Sequence, residues 1–193
     1  MKEMEPQDFT DLHRKKIKKY LCKMKGGGTC PPMVGLTEIF WSCIGGFLGI
    51  AAVAFVSSRF FEPRDLTLIT GSFGASAVLI YAAIKSPLAQ PRNLVGGHVL
   101  SAIAGVTIYQ LMGDTFMASA TAVSVAIALM LVTGTLHPPG GATALIAVIG
   151  SEKIHSIGYL YVLVPTFAGV LIMMLISLFF NNLVEHRKYP EYW

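Results

Sequence analysis

The sequence predicts an all-α, polytopic membrane protein of about six membrane elements, arranged as two inverted three-element repeats. Three observations point there. The chain is 53% hydrophobic and only 13% charged; its apolar segments run almost continuously from Leu36 to Val184; and two short, interrupted elements align with each other at a fixed offset. A soluble domain carries roughly 25% charged residues, and charge is costly in hydrocarbon. The deficit, with a mean hydropathy of +0.60, selects a bilayer.

Charge placement adds an orientation. The net charge is +4, with Arg14, Lys15, Lys16, Lys18, Lys19, Lys23 and Lys25 ahead of the first span and Arg187 and Lys188 behind the last. That is a positive-inside pattern. It places both ends in the cytoplasm and argues against nucleic acid as a partner. Lys85 and Arg92 then fall inside and Asp114 outside, as the rule asks, whereas Arg59 and Arg64 fall outside beside Glu62 and Asp65. Cys22, Cys30 and Cys43 form neither a disulfide framework nor a thiolate metal site. The polar opening Met1–Glu5 resembles no signal or transit peptide. The expectation is a bacterial inner (plasma) membrane protein inserted by its own first span. Residues 1–35 form a basic segment and linker, 36–184 a single transmembrane domain with repeats of about 36–112 and 116–182, and 185–193 a cytoplasmic tail.

Residues 9–25 set Phe9, His13, Ile17, Tyr20, Leu21 and Met24 near one helical face among lysines. A helix lying on anionic lipid and a solvated basic tail both fit. Gly26 to Pro32, with three glycines and two prolines, forms a linker. The first element runs from about Thr37 to Val56, the third from Leu94 to Met112, the fourth from Phe116 to Thr133 and the last from Tyr159 to Asn181, each near the ~20 residues of a spanning helix. The second (Leu66 to Ile84) and fifth (Pro138 to Gly150) are expected to be broken near their N-termini. The second is β-branched and glycine-interrupted up to Gly74; the fifth opens on His137-Pro138-Pro139-Gly140-Gly141, where proline suits a helix's first turn.

Gly74–Ile80 aligns with Gly141–Ala147 at an offset of 67 residues. A three-element half reverses the direction of the next, so the repeats would be inverted. Two broken elements in that relation set their helix N-termini facing each other near the midplane, with free N–H groups and positive dipole ends that favour an anion. Ser72, Gly74, Ser76, Gly140, Gly141 and Thr143 are the candidate contacts, against the simpler reading that such small residues let helices pack closely. His98 and His137 are candidates for coupling or support, either carrying a proton or bracing the backbone. No catalytic constellation, cofactor motif or metal-ligand cluster is visible.

These motifs resemble the HPP family of integral membrane proteins, named for the His-Pro-Pro found here at residues 137–139. The resemblance covers nearly everything from Phe60 to Trp193. It includes Thr70–Ala77, Ser86–Asn93, Gly97-His98, Gly134–Ala144 and the ending Tyr189–Trp193. It implies transport: plant chloroplast and cyanobacterial members are associated with nitrite movement, although the plastid-targeting extension of the plant members is missing from this sequence.

The resulting expectation is transmembrane transport of a small monovalent inorganic anion, most plausibly nitrite, by a chain whose partners are that anion and the lipid bilayer. Homo-oligomerisation is left open. The alternative is a non-transporting membrane scaffold or sensor whose basic N-terminus binds lipid or a partner, with a membrane-embedded enzyme third.

Overall fold

The computed structural model describes residues 6–24, 28, 30 and 32–193, apart from the side chains of residues 6–13, Arg64, Thr67 and Leu68. The acidic opening, most of the glycine-proline linker and the Phe9 and His13 side chains lie outside the described set. The chain divides into two compact units, Met1–Val34 and Gly35–Trp193. In the first, α1 (Pro6–Lys23) is helical. Its Ile17, Tyr20, Leu21 and Met24 are each more than half exposed, at the i, i+3, i+4, i+7 spacing of one face.

The second unit is all-helical. Four of its helical segments, Leu36–Ser57, Pro91–Met112, Phe116–Thr133 and Val162–Asn182, are long and apolar enough to cross a membrane, and two shorter apolar helices, Ile69–Ala82 and Pro139–Ile149, lie among them. This is a multi-pass membrane protein. Helix α2 (Leu36–Ser57) buries Gly45, Gly49, Val53 and Ser57, a stripe of period four, and turns Phe40, Phe47 and Phe55 outward.

Helix α3 (Pro63–Ala77) overturns the expectation that element two is broken near its N-terminus. It is helical from Pro63 onward, with Glu62 extended at its N-cap and the Leu66 N–H donating to the Glu62 carbonyl at 2.9 Å. Two features anchor this start. Pro63 presets the first turn, and Asp65, fully buried, accepts bonds from the backbone and hydroxyl of Ser151. Gly71 and Gly74 lie inside the helix. Each costs about 1 kcal/mol relative to alanine, too little to stop a helix secured in this way. The break comes at the other end. Val78–Ala82 winds as a wide π turn, and the chain leaves the helix at Ala83 (φ −123°, ψ 45°).

Side chains cap the carbonyls freed there. Asn181 Nδ2 donates to Ile80 O at 2.9 Å, and Tyr81 O accepts from Ser42 Oγ at 2.8 Å and Arg187 Nη2 at 2.6 Å. The connection to α4 (Pro91–Met112) is held by buried Gln90, whose amide donates to Ile84 O and Ser86 O. Helix α5 (Phe116–Thr133) starts on a Thr115 cap and ends at Gly134 in the left-handed region (φ 65°). Non-helical backbone follows to α6 (Pro139–Ile149), which opens with proline in its first turn. Its 11 residues extend about 16 Å, roughly half of a hydrocarbon core. Next come α7 (Glu152–Ile157), a bent π segment around Pro165 and α8 (Ala168–Asn182).

Helices α3 and α6 run antiparallel: Ser72 meets Pro139 and Thr143 near the start of α6, and Asp65 meets Ser151 beyond its end. The opposed pair of helix N-termini expected from the repeat is therefore absent. Near Ser72 only α6 begins; the N-terminus of α3 lies more than two turns away, at Pro63.

The tightest packing is α6 on α4. A Cβ added at Gly105 would strike Ala144 O, and one at Gly140 would lie 2.7 Å from both Gly97 O and Ser101 Oγ. Helix α5 completes this layer through buried Ala118, Ala122, Ala126 and Met130. The C-terminal residues fold back onto the unit. Buried Arg187 donates to Glu38 at 2.6 Å, to Ser42 and to Asn181 Oδ1. Burial pushes the Tyr189 phenol up to about 12, so it remains a donor to Ala89 O, at 2.7 Å, across the physiological range.

Gly105→Ala is expected to destabilise the detergent-solubilised protein by about 1–3 kcal/mol through overpacking. Gly46→Ala, whose new methyl meets nothing within 4 Å, should lose no stability and gain up to about 1 kcal/mol from the better helix former. Arg187→Ala removes the close ion pair to Glu38 and one of the two donors to the Tyr81 carbonyl, and its expected loss is about 3 kcal/mol. Arg187→Lys should recover little of it, because one guanidinium fork serves four partners. Tryptophan fluorescence during thermal unfolding reads both.

Candidate functional site

Five of the sequence-selected side chains meet in one buried cluster. Ser72, Ser76, His98, His137 and Thr143 are each less than 5% exposed. Ser72 and Ser76 lie one turn apart on α3, His98 comes from the first half of α4, Thr143 from the first turns of α6, and His137 from the non-helical stretch before it. Ser76 Oγ lies 2.8 Å from His98 Nε2 and 2.9 Å from His137 Nε2. His98 Nδ1 is 2.7 Å from Thr143 Oγ1, which is 2.9 Å from Ser72 Oγ. Ser72 Oγ also lies 3.0 Å from Pro139 O, within reach of its hydroxyl. His137 Nδ1 lies 2.7 Å from Leu88 O. The two imidazoles have centroids 5.0 Å apart, and Phe73 covers the other side of His98 at 5.3 Å.

Local sequence explains how these groups come together. Gly97 lets the chain at His137 lie directly on α4, since a Cβ there would collide with His137 Cβ. Gly96 does the same for Thr135, at 2.6 Å. Asn93, Gly97 and Ser101 follow one another at i, i+4, i+8, a single face of α4, and that face receives residues 135–140. Asn93 Nδ2 holds Leu136 O at 2.9 Å.

The glycine candidates separate. Gly140 is buried against α4, and its N–H donates to His137 O at 2.8 Å. The Gly141 N–H donates to Pro138 O at 3.0 Å, and an added Cβ would find only Val123, at 3.8 Å. Gly74 lies apart from the cluster, on a half-exposed face where a Cβ meets nothing within 4 Å. Beside Ser72 and Thr143 there is a cavity of about 10 Å³, lined also by Phe73, Tyr161 and Thr166, room for a single water.

Sequence reasoning missed three participants. The Leu88 carbonyl, in the proline-rich loop, holds His137. The Tyr161 hydroxyl donates to Thr143 O at 3.1 Å. Ser101 Oγ, fully buried and without a hydrogen-bond partner, points at the backbone of Gly140. Of these only Ser101 left a trace in the sequence, three residues after His98 on the same helical face. Among the described residues no three metal-capable side chains gather.

Residues 31–190 match the family described as "HPP, transmembrane region". The chain belongs to the HPP family. Two transmembrane proteins of Dictyostelium discoideum are similar to this HPP protein: one is 46% identical over 178 residues, covering 90% of this chain and 57% of the relative, and the other is 45% identical over 167 residues, covering 84% and 58%. The HPP chain thus spans less than three fifths of the length of these relatives. No solved structure matches it.

In this HPP protein, Thr143→Val keeps the side chain's shape but removes the hydroxyl shared by His98 and Ser72. A buried polar atom without a partner costs about 1–3 kcal/mol, and the expected result is a fall in unfolding stability of that size. Thr143→Ser, which keeps the hydroxyl, should fall by less.

Proposed function

We propose that this protein transports a small monovalent anion across the membrane, with nitrite the substrate that the family resemblance favours. The observation that carries the reading is the buried Ser72–Thr143–His98–Ser76–His137 chain of hydrogen bonds. Ionisable and polar side chains within membrane segments are costly and by default mark a substrate or ion path. A scaffold needs no such chain between its helices.

The anion site in this reading lies at the α6 N-terminus. It is bounded by the hydroxyls of Ser72, Ser76 and Thr143, the backbone of Gly140 and Gly141, and the unpartnered Ser101. Gly74 is left out because it faces elsewhere. Membrane helices broken by non-helical backbone recur at transporter binding sites, and both the stretch before α6 and the loop after Ala82 are breaks of that kind. The cavity is small, so the conformation is closed and access requires movement of one of these segments. The antiparallel setting of α3 and α6 supports inverted repeats, and the basic residues before α2 support cytoplasmic termini.

A second reading, a scaffold or sensor recruiting lipid or a partner, is favoured by the exposed apolar face of α1 among its lysines. Flux into proteoliposomes of nitrite, nitrate, formate and chloride separates the two. Transport predicts protein-dependent uptake of at least one anion, reduced on the order of tenfold or more by Ser101→Ala or Thr143→Val. Folded protein that moves none of the four contradicts the transport reading.

A further inference from the structure

Hydrogen-bond partners decide where the protons of the cluster sit. The Leu88 carbonyl can only accept, so His137 donates from Nδ1 at 2.7 Å. A neutral His137 then presents Nε2 as an acceptor, and the Ser76 hydroxyl donates to it at 2.9 Å. Ser76 has no second proton. At 2.8 Å, therefore, His98 donates from Nε2 to Ser76 Oγ, which leaves His98 Nδ1 to accept from Thr143 at 2.7 Å. Ser72 donates to Thr143 in turn, at 2.9 Å. Every donor points the same way, from Ser72 to the Leu88 carbonyl, with both imidazoles neutral.

The same atoms accept one more proton without losing a bond. With both nitrogens of His98 protonated, its Nδ1–H donates to Thr143 Oγ1. Thr143 turns its own proton to Pro139 O, 3.4 Å away, while its oxygen, with two lone pairs, accepts from both His98 and Ser72. The charge can then move. Ser76 Oγ takes the proton from His98 Nε2 as its own O–H bond breaks toward His137 Nε2. One N–H bond is lost at His98 and one gained at His137, the serine ends with one O–H bond as it began, and the imidazolium has changed rings. Every group in the new state is again paired, since Ser76 now donates to His98 Nε2.

We propose that Ser76 relays a proton between His98 and His137, making the proton a second species that the protein moves together with its anion. This rests on the transport reading. Four other titratable or charged groups on the surrounding elements hold partners of their own. Asp65 on α3 holds Ser151, Arg92 on α4 holds Thr133 O, the Tyr161 hydroxyl holds Thr143 O, and Tyr189 holds Ala89 O beside Leu88. Lys85 lies on the same connecting loop as Leu88, whose carbonyl is bonded by His137. The two imidazoles are thus the titratable rings in direct contact with Ser76, and no fixed charge takes any of their four nitrogens.

The test is a proteoliposome experiment with nitrite as the probe under an imposed pH gradient. An entrapped dye reads protons, a chemical assay reads nitrite, and both rates are taken above those of empty liposomes. Wild type is expected to move protons with nitrite. Ser76→Ala is expected to lower the protons moved per nitrite on the order of 100-fold, and Ser76→Thr, which keeps the hydroxyl, should restore most of the ratio. Nitrite movement without protein-dependent protons, or a wild-type ratio in Ser76→Ala, overturns the relay and leaves transport standing. Protein-dependent protons with no anion movement support the relay and remove the anion reading; movement of neither overturns both. Nitrogen NMR of histidine-labelled wild type decides the geometry independently of any variant. At neutral pH the relay requires His137 protonated at Nδ1 and His98 at Nε2, and the opposite tautomer at either ring sinks it.

Discussion

Backbone contact between α4 and α6 is the constraint on which the rest of the structure depends. Along that line Gly105 and Gly140 carry no Cβ, and the neighbouring main chain occupies the space a Cβ would take, while at Gly97 that space holds His137 Cβ. In hydrocarbon there is no water to drive helices together, so close van der Waals approach and interhelical hydrogen bonds must do it. The approach has a chemical result. It brings the first turns of α6 close enough for Thr143 to reach His98, and it lays the chain at His137 across α4 so that both imidazoles converge on Ser76.

The far side of the cluster is held from a distance. His137 is oriented by a carbonyl of the loop after α3, and that loop is bound by the C-terminal residues: Tyr189 to Ala89, the Glu191 backbone to Gln90 at 2.8 Å, and Tyr192 to Pro87. Arg187 secures the same region by joining Glu38 on the first span to the carbonyl that the π turn releases. The ending Tyr-Pro-Glu-Tyr-Trp thus belongs to the membrane unit; it closes the broken end of α3 and through it fixes one histidine. Polar networks of this kind hold one arrangement only when each member is satisfied, and the members here span almost the whole unit.

Much of this was legible from residue order. The sequence predicts the fourth element over Phe116 to Thr133, and α5 has those ends because Thr115 caps its start and Gly134 its finish. The proline pair marked the start of α6 for an equally local reason. Element two looks broken in sequence because its glycines resemble breakers, whereas what decides a helix is whether its start is secured and its interior amides stay paired. Asp65 secures that start through Ser151, 86 positions away in the chain, a contact that no window of sequence contains. The true break at Val78–Ala82 was invisible for the same reason: Arg187, Ser42 and Asn181 take up its carbonyls, and all three come from other elements.

By itself, then, the sequence determined the membrane class, the approximate bounds of the apolar elements, and a short set of polar residues too costly to bury in lipid without a purpose. Those conclusions follow from composition, period and local backbone preference, which act over a few residues. Only the tertiary structure decided that the serines, histidines and threonine form one connected chain, that Gly74 stands outside it, and that a single helix start, rather than two opposed ones, faces the cluster. Hydrogen bonds between side chains 22 to 71 positions apart depend on packing distances of a few tenths of an ångström. Such distances are set only when the helices have docked.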